Sequence, residues 1–402
     1  MRKLKLILAL CWAFGLWAPH GSPAAWAQAG LRVQAFPEPD YTFGKFIAFR
    51  VSASSDAGIR QATLFYRVKP TPDILSALAT FTPGQVITGI VTLDLAQAPL
   101  TPFARVEYWW QVTDLTQAQV TTQPQTFHYV DNRFAWQSRG QDPVTVYWYD
   151  GNAAFGQTAL STAITGLTQA RLTVGGPEPE VVDIYIYADA GDAQEALLPS
   201  GHLWSEGRTD PGLNLAIVTV APGVDADREL GREVPHEMMH LQLAQRLGAS
   251  YAQLPNWLNE GLAEMNQAQA DPELAAALTR ARDARTLFPL ANLCAPFPAD
   301  PAQAQLAYAE SESVVRYIRR HYPPASLAKL LDAYAQGAAC EAGVAQGLNL
   351  SQADLEQAWR ADLAPAATAS PVWPWVILSV VVLLGGAVMT LLSLGGRKAR
   401  QA

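Results

Sequence analysis

The run Gly231–Gln245, GREVPHEMMHLQLAQ, holds two histidines four residues apart, with a glutamate directly after the first. On a helix, residues four apart lie almost above one another, so the imidazoles of His236 and His240 can reach one ion. Glu237, about 100° further round the helix, cannot join them as a ligand. It points beside the ion, where a base stands to take a proton from water that a metal activates. Pro235 complicates the reading: inside a helix it removes the hydrogen bond to the carbonyl of Gly231 and costs about 3 kcal/mol or more, whereas a first helical turn accepts it. Either the helix begins near Val234, or it begins near Asp225 and kinks between Gly231 and Pro235. Both alternatives keep His236 to His240 on regular helix.

A catalytic zinc site takes three protein ligands and leaves a fourth position open. Downstream, PNWLNEGLAEMNQ (255–267) offers Glu260 and Glu264, four apart on an expected second helix. Either carboxylate could close the site, and spacing does not choose between them.

The combination of His236-Glu237-x-x-His240 with WLNEGLAE (257–264) resembles the gluzincin metallopeptidases, in particular the peptidase MA-like group related to aminopeptidase N. The resemblance implies a thermolysin-like α+β catalytic domain with a helical C-terminal part and one Zn²⁺ per chain. It implies His236, His240 and Glu260 as metal ligands, with Glu264 behind them or solvated, and Glu237 as general base. LAYAESESVVRYI (306–318) is similar to the family's tyrosine-bearing segment, which implies Tyr308 as a donor to the oxyanion of the tetrahedral intermediate. LEQAWRADL (355–363) resembles the closing helix, so the likeness runs from about Val181 to Leu363. The G-x-M-E-N element that holds a free amino terminus in aminopeptidase N relatives is absent, and exopeptidase specificity is not carried over.

Outward from the motif, texture divides the chain. From Leu31 to Asp131, alternating runs such as KFIAFRVSASS, ITGIVTLDL and ARVEYWWQVTD are separated by Pro, Gly and Asp. They predict an all-β sandwich of immunoglobulin or fibronectin type over 28–135, a spacer or docking domain. From Val144, PVTVYWYD and VVDIYIYAD read as strands around a helical stretch, GQTALSTAITGLTQAR. LNLAIVTVAPG follows as a further strand, an ordinary core strand or, as the resemblance implies, an edge able to pair with an extended peptide. Beyond Asp225 the pattern is helical to Leu363, with Ser351 to Asp354 as a capping box. The catalytic domain is expected over 140–363. His202, a lone histidine, reads as structural or exposed.

Both ends are apolar. Residues 1–27 carry Arg2, Lys3 and Lys5, an apolar core and Ala25-Trp26-Ala27, the features of a signal peptide. Residues 372–394 are long enough to span a bilayer as a helix after a linker at 364–371, and the basic tail at 395–402 marks the cytoplasmic side. The expected location is therefore a cell membrane, with the catalytic domain extracytoplasmic. That setting permits a disulfide between Cys294 and Cys340. The net charge of −8 over 402 residues leaves no basic surface for nucleic acid. The expected partner is a peptide or protein substrate. Two rivals are a surface scaffold that keeps the fold without turnover and a zinc hydrolase of non-peptide substrates. Retention of Glu237 speaks against the first.

Overall fold

The computed structural model describes residues 30–197, 207–364 and Leu383. The stretches expected as signal peptide and basic tail lie outside them, as do the expected membrane span apart from Leu383, His202 and all of the linker beyond Ala364. Among the described residues no helix is both long and apolar enough to cross a membrane. The chain forms two compact units that part between Asp131 and Asn132.

The first unit is β-rich. One antiparallel sheet runs β1 (Arg32–Ala35), β3 (Phe46–Ser54), β2 (Asp40–Thr42), with β6 (Val86–Asp94) also paired to β3. The other runs β5 (Leu75–Leu78), β4 (Ile59–Val68), β7 (Arg105–Asp114), β8 (Gln119–Thr121), with β9 (Gln125–His128) also on β7. Period-two burial on β7 sends Val106, Tyr108, Trp110 and Val112 inward. The sheets pack face to face where Phe49 of β3 meets Tyr108 of β7, ring centroids 4.9 Å apart.

The second unit begins with a five-stranded sheet in the order β10 (Gln137–Gln141), β11 (Val144–Trp148), β12 (Val182–Tyr187), β14 (Leu215–Thr219), β13 (Gly207–Asp210). The three central strands are parallel, and both edges are antiparallel hairpin partners. Helix α1 (Ala153–Val174) makes the crossover from β11 to β12, and α2 (Ala190–Leu197) follows β12. After β14 the chain is helical: α3 (Ala226–Leu247), α4 (Asn256–Asn266), α5 (Pro272–Ala284), α6 (Pro301–His321), α7 (Ala325–Ala335), α8 (Cys340–Leu348) and α9 (Gln352–Asp362). Ser351 caps α9, its hydroxyl accepting from the Asp354 amide at 3.1 Å. A disulfide joins Cys294 to Cys340, across 46 positions of the sequence.

Of the two readings of LNLAIVTV, the structure has the core strand: β14 pairs with β12 on one side and with β13 on the other. A turn in which Asp210 caps the Leu213 amide, with Asn214 at positive φ, folds Gly207–Asp210 back onto it. The edge is β13.

Candidate metal centre

Helix α3 lies between two hydrophobic cores. Leu230, Val234, Met238 and Leu241 face the sheet and α1, while Met239, Leu243 and Leu247 face the C-terminal helices. The stripe left between these faces carries His236, Glu237 and His240. Pro235 does not end the helix, which runs unbroken in assignment from Ala226 to Leu247. The carbonyl of Gly231, deprived of its helical partner, accepts instead from the Ala268 amide at 2.8 Å. Asn266 adds a second tie, donating from Nδ2 to the carbonyl oxygens of Pro235 at 2.7 Å and Gly166 at 3.1 Å.

Helix α4 buries Trp257, Leu258 and Leu262 in the C-terminal core and turns Glu260 and Glu264 towards α3. Gly261 permits its close approach to α6: a Cβ there would stand 2.4 Å from the Ser311 carbonyl oxygen. The two carboxylates separate by position. Glu260 Oε2 lies 3.4 Å from Nε2 of both His236 and His240, whereas Glu264 Oε1 lies 3.3 Å from Nδ1 of His236.

The outer nitrogens fix the tautomers. His240 Nδ1 donates to Asn259 Oδ1 at 3.1 Å, and His236 Nδ1 faces the Glu264 carboxylate. Both Nε2 atoms are thereby left as acceptors, 3.1 Å apart and facing a third acceptor in Glu260. Three acceptors so placed repel one another unless a cation stands among them. Their separations of 3.1, 3.4 and 3.4 Å match the edge of about 3.3 Å that follows from tetrahedral ligands at about 2.0–2.1 Å from zinc. The donor set and its size therefore fit Zn²⁺.

Electrostatics agree. Burial works against charge on both imidazoles, but Glu260 and Glu264 around His236, and Glu260 beside His240, outweigh it and raise both pKa values. Burial likewise opposes charge on Glu260, and the two histidines reverse that to hold its carboxyl far below the usual range. The carboxylates thus favour positive charge among these groups.

Glu237 is 3% exposed and turns its carboxylate to β13, where Thr209 Oγ1 donates to Oε2. Tyr308 lies on α6 with its ring edge-on to Phe297 at 5.1 Å. Its spacing from Ser311 and Val315 puts it on the face of α6 that meets α4. Three residues near the cluster were not legible in the sequence as site residues. Asn259 bridges His240 and, through Nδ2, Glu260 Oε1 at 3.1 Å. Thr209 holds Glu237. Tyr251, in the 3-10 turn Gly248–Gln253, has its pKa raised by burial and by the nearby Glu260 and Glu237 carboxylates. No spacing rule links any of the three to the motif.

A mixed sheet with a short antiparallel edge, backed by a helix carrying H-E-x-x-H and a second helix offering a carboxylate, is a peptidase-like fold with a candidate metal centre. The model of the Peptidase MA superfamily matches residues 161–365, about half of the chain, and the chain belongs to that superfamily. Among solved structures, it is similar to the M1 zinc metallopeptidase from Deinococcus radiodurans, with 13% identity over 84% of this chain and 96% of that one, at a TM-score of 0.37. A mutant of the same enzyme bound to a Tyr-Ser-Ala substrate gives 13% identity, 83% and 94% coverage and a TM-score of 0.33. A further similarity, to OgpA from Akkermansia muciniphila, has 11% identity and a TM-score of 0.21, over 25% of this chain and only 30% of OgpA. No curated protein sequence matches.

Proposed function

We propose that this chain is a zinc-dependent peptidase, tethered to a membrane by the span 372–394 with its catalytic unit on the outer side. The observation that carries the reading is the triangle of His236 Nε2, His240 Nε2 and Glu260 Oε2, three acceptors held 3.1–3.4 Å apart by fixed tautomers. These three residues would hold Zn²⁺. When bound, zinc polarises a carbonyl and lowers the pKa of water to about 7.

The protein's own groups do the rest. Glu237 takes the proton of the attacking water on its carboxylate and passes it to the departing amine, which is why it stands beside the ligands rather than among them. The Thr209 hydroxyl fixes which way that carboxylate points. Tyr308 donates to the oxyanion. The outer edge of β13 offers backbone groups to an extended peptide, giving affinity with little demand on side chains. Asn259 and Glu264 keep both imidazoles oriented with Nε2 inward.

The deciding experiment measures zinc by elemental mass spectrometry on the full chain and on Glu260→Ala, alongside cleavage of a peptide library by the full chain and by Glu237→Ala. One zinc per chain, largely lost in Glu260→Ala, with cleavage that Glu237→Ala abolishes, is the expected result. Absence of zinc after reconstitution would overturn the reading, and so would cleavage that survives Glu237→Ala.

A further inference from the structure

The edge strand β13 carries a cation that has no partner among the described residues. Residues alternate across a strand, and the register assigns the two faces. Thr209 pairs with Ala216, which lies in the core shared with α3, and bonds Glu237. Arg208 pairs with Ile217, on the other face. Its guanidinium is half-buried, yet it makes no hydrogen bond or ion pair among the described residues. Burial works against its charge, and the fields of Asp210 and Glu237 offset that only in part. Asp210 accepts from the Leu213 amide through Oδ1, and Glu237 accepts from Thr209 through Oε2.

A guanidinium partly removed from water gains when an anion completes its fork of donors. The position says where that anion comes from. Arg208 is one residue from the hydroxyl that holds Glu237, on the strand whose outer side has no neighbour in the sheet among the described residues. A peptide extended along that edge presents alternate side chains to the Arg208 face.

We propose that Arg208 is a specificity residue that receives a carboxylate of the substrate peptide, so that the site favours an acidic residue, or a free C-terminal carboxylate, beside the bond it addresses. A planar fork of donors on a partly dry strand edge suits a bidentate carboxylate contact. The inference rests on the peptidase reading of the same site, and it gives β13 a charge preference opposite to one for a free amino terminus.

The test measures binding of three short peptide hydroxamates to the zinc-loaded full chain in detergent. One has a glutamine side chain and an amidated end, one a glutamate side chain and an amidated end, and one a glutamine side chain and a free C-terminal carboxylate. The expected result is that at least one acid binds about tenfold tighter than the neutral compound, the gain associated with a charge-assisted contact. Which acid it is separates a side chain from a chain terminus. Arg208→Met removes the advantage and Arg208→Lys keeps part of it, while the neutral compound binds all three proteins alike.

Equal binding of all three hydroxamates to the intact protein would overturn the assignment, as would an acid preference that persists in Arg208→Met. Zinc content is measured on the same samples. A chain that holds zinc but shows no acid preference removes Arg208 from specificity and leaves the peptidase reading standing. A chain that holds no zinc and binds no hydroxamate overturns both.

Discussion

The amide of Ala268 donates to the carbonyl of Gly231 at 2.8 Å, replacing the helical hydrogen bond that Pro235 cannot make. The segment after α4 thereby repairs α3 one turn before the first histidine. The two helices that carry the metal-facing groups are joined at the point where one of them is weakest. Asn266, at the end of α4, reinforces the join by donating to Pro235 and Gly166.

Asn266→Ala should therefore cost more than its part-exposed position suggests. Loss of both donated bonds removes two ties between helices, an expected penalty of about 1–3 kcal/mol at roughly 0.5–1.5 kcal/mol each. Urea denaturation of the variant against the parent checks it, and zinc affinity should fall in step because α3 and α4 lose their register.

Asn259→Leu and Glu264→Leu each remove the partner of an Nδ1 atom while leaving the three inner groups intact. Losing the outer partner of a metal-binding histidine lowers metal affinity about 10–100-fold, and that is the expected size for each variant. Competition with a chromophoric chelator measures it. Asn259→Asp, which keeps an oxygen acceptor for His240 Nδ1, should recover much of the loss.

Two glycines in the same assembly should respond with opposite signs. A Cβ on Gly261 meets the Ser311 carbonyl oxygen at 2.4 Å and Val315 at 2.7 Å. Gly261→Ala must push α4 from α6, an expected cost of about 1–3 kcal/mol, and it displaces Glu260 with it. A Cβ on Gly231 meets nothing nearer than 3.8 Å. Gly231→Ala should gain up to about 1 kcal/mol from helix propensity. Thermal unfolding of the pair, with zinc content measured on each, provides the comparison.

Glu310 supplies a pH dependence away from the metal. It is fully buried on α6, accepts from the Phe288 amide at 3.0 Å and, among the described residues, leaves Oε2 without a hydrogen-bond partner. Burial raises its pKa to about 7. Because the folded state holds this proton more tightly than the unfolded chain, its contribution is unpenalised at low pH. Stability then falls as pH rises from the unfolded value through about 7, by at most about 3 kcal/mol. Glu310→Gln should flatten that part of the profile and be the more stable protein at pH 8, as read by chemical denaturation at a series of pH values.

Much was legible in the residues alone, because local rules carry it. A four-residue spacing puts two imidazoles on one helical face whatever surrounds the helix, so His236, Glu237 and His240 stand out in the sequence. Alternation on Val106, Tyr108, Trp110 and Val112 and helical spacing beyond Asp225 likewise follow from side-chain period, and the β-rich and helical regions follow from them. The Ser351 cap is a contact between near neighbours, and it too was legible.

What the sequence left open are relations between distant segments. Whether Glu260 or Glu264 reaches the two Nε2 atoms depends on how α4 crosses α3, which is set by close packing at Gly261 and by the Ala268 and Asn266 bonds. The fate of Pro235 depended on a donor far downstream, beyond the end of α4. Thr209 and Arg208 acquire meaning only once a hairpin turns β13 onto β14 and makes it, rather than β14, the edge of the sheet, and Asn259 only once α4 crosses α3. Cys294 and Cys340 were permitted to bond by their setting and were brought together by the packing of the C-terminal helices. Spacing along a chain fixes which side chains share a face; which faces meet is decided by the packing of the whole.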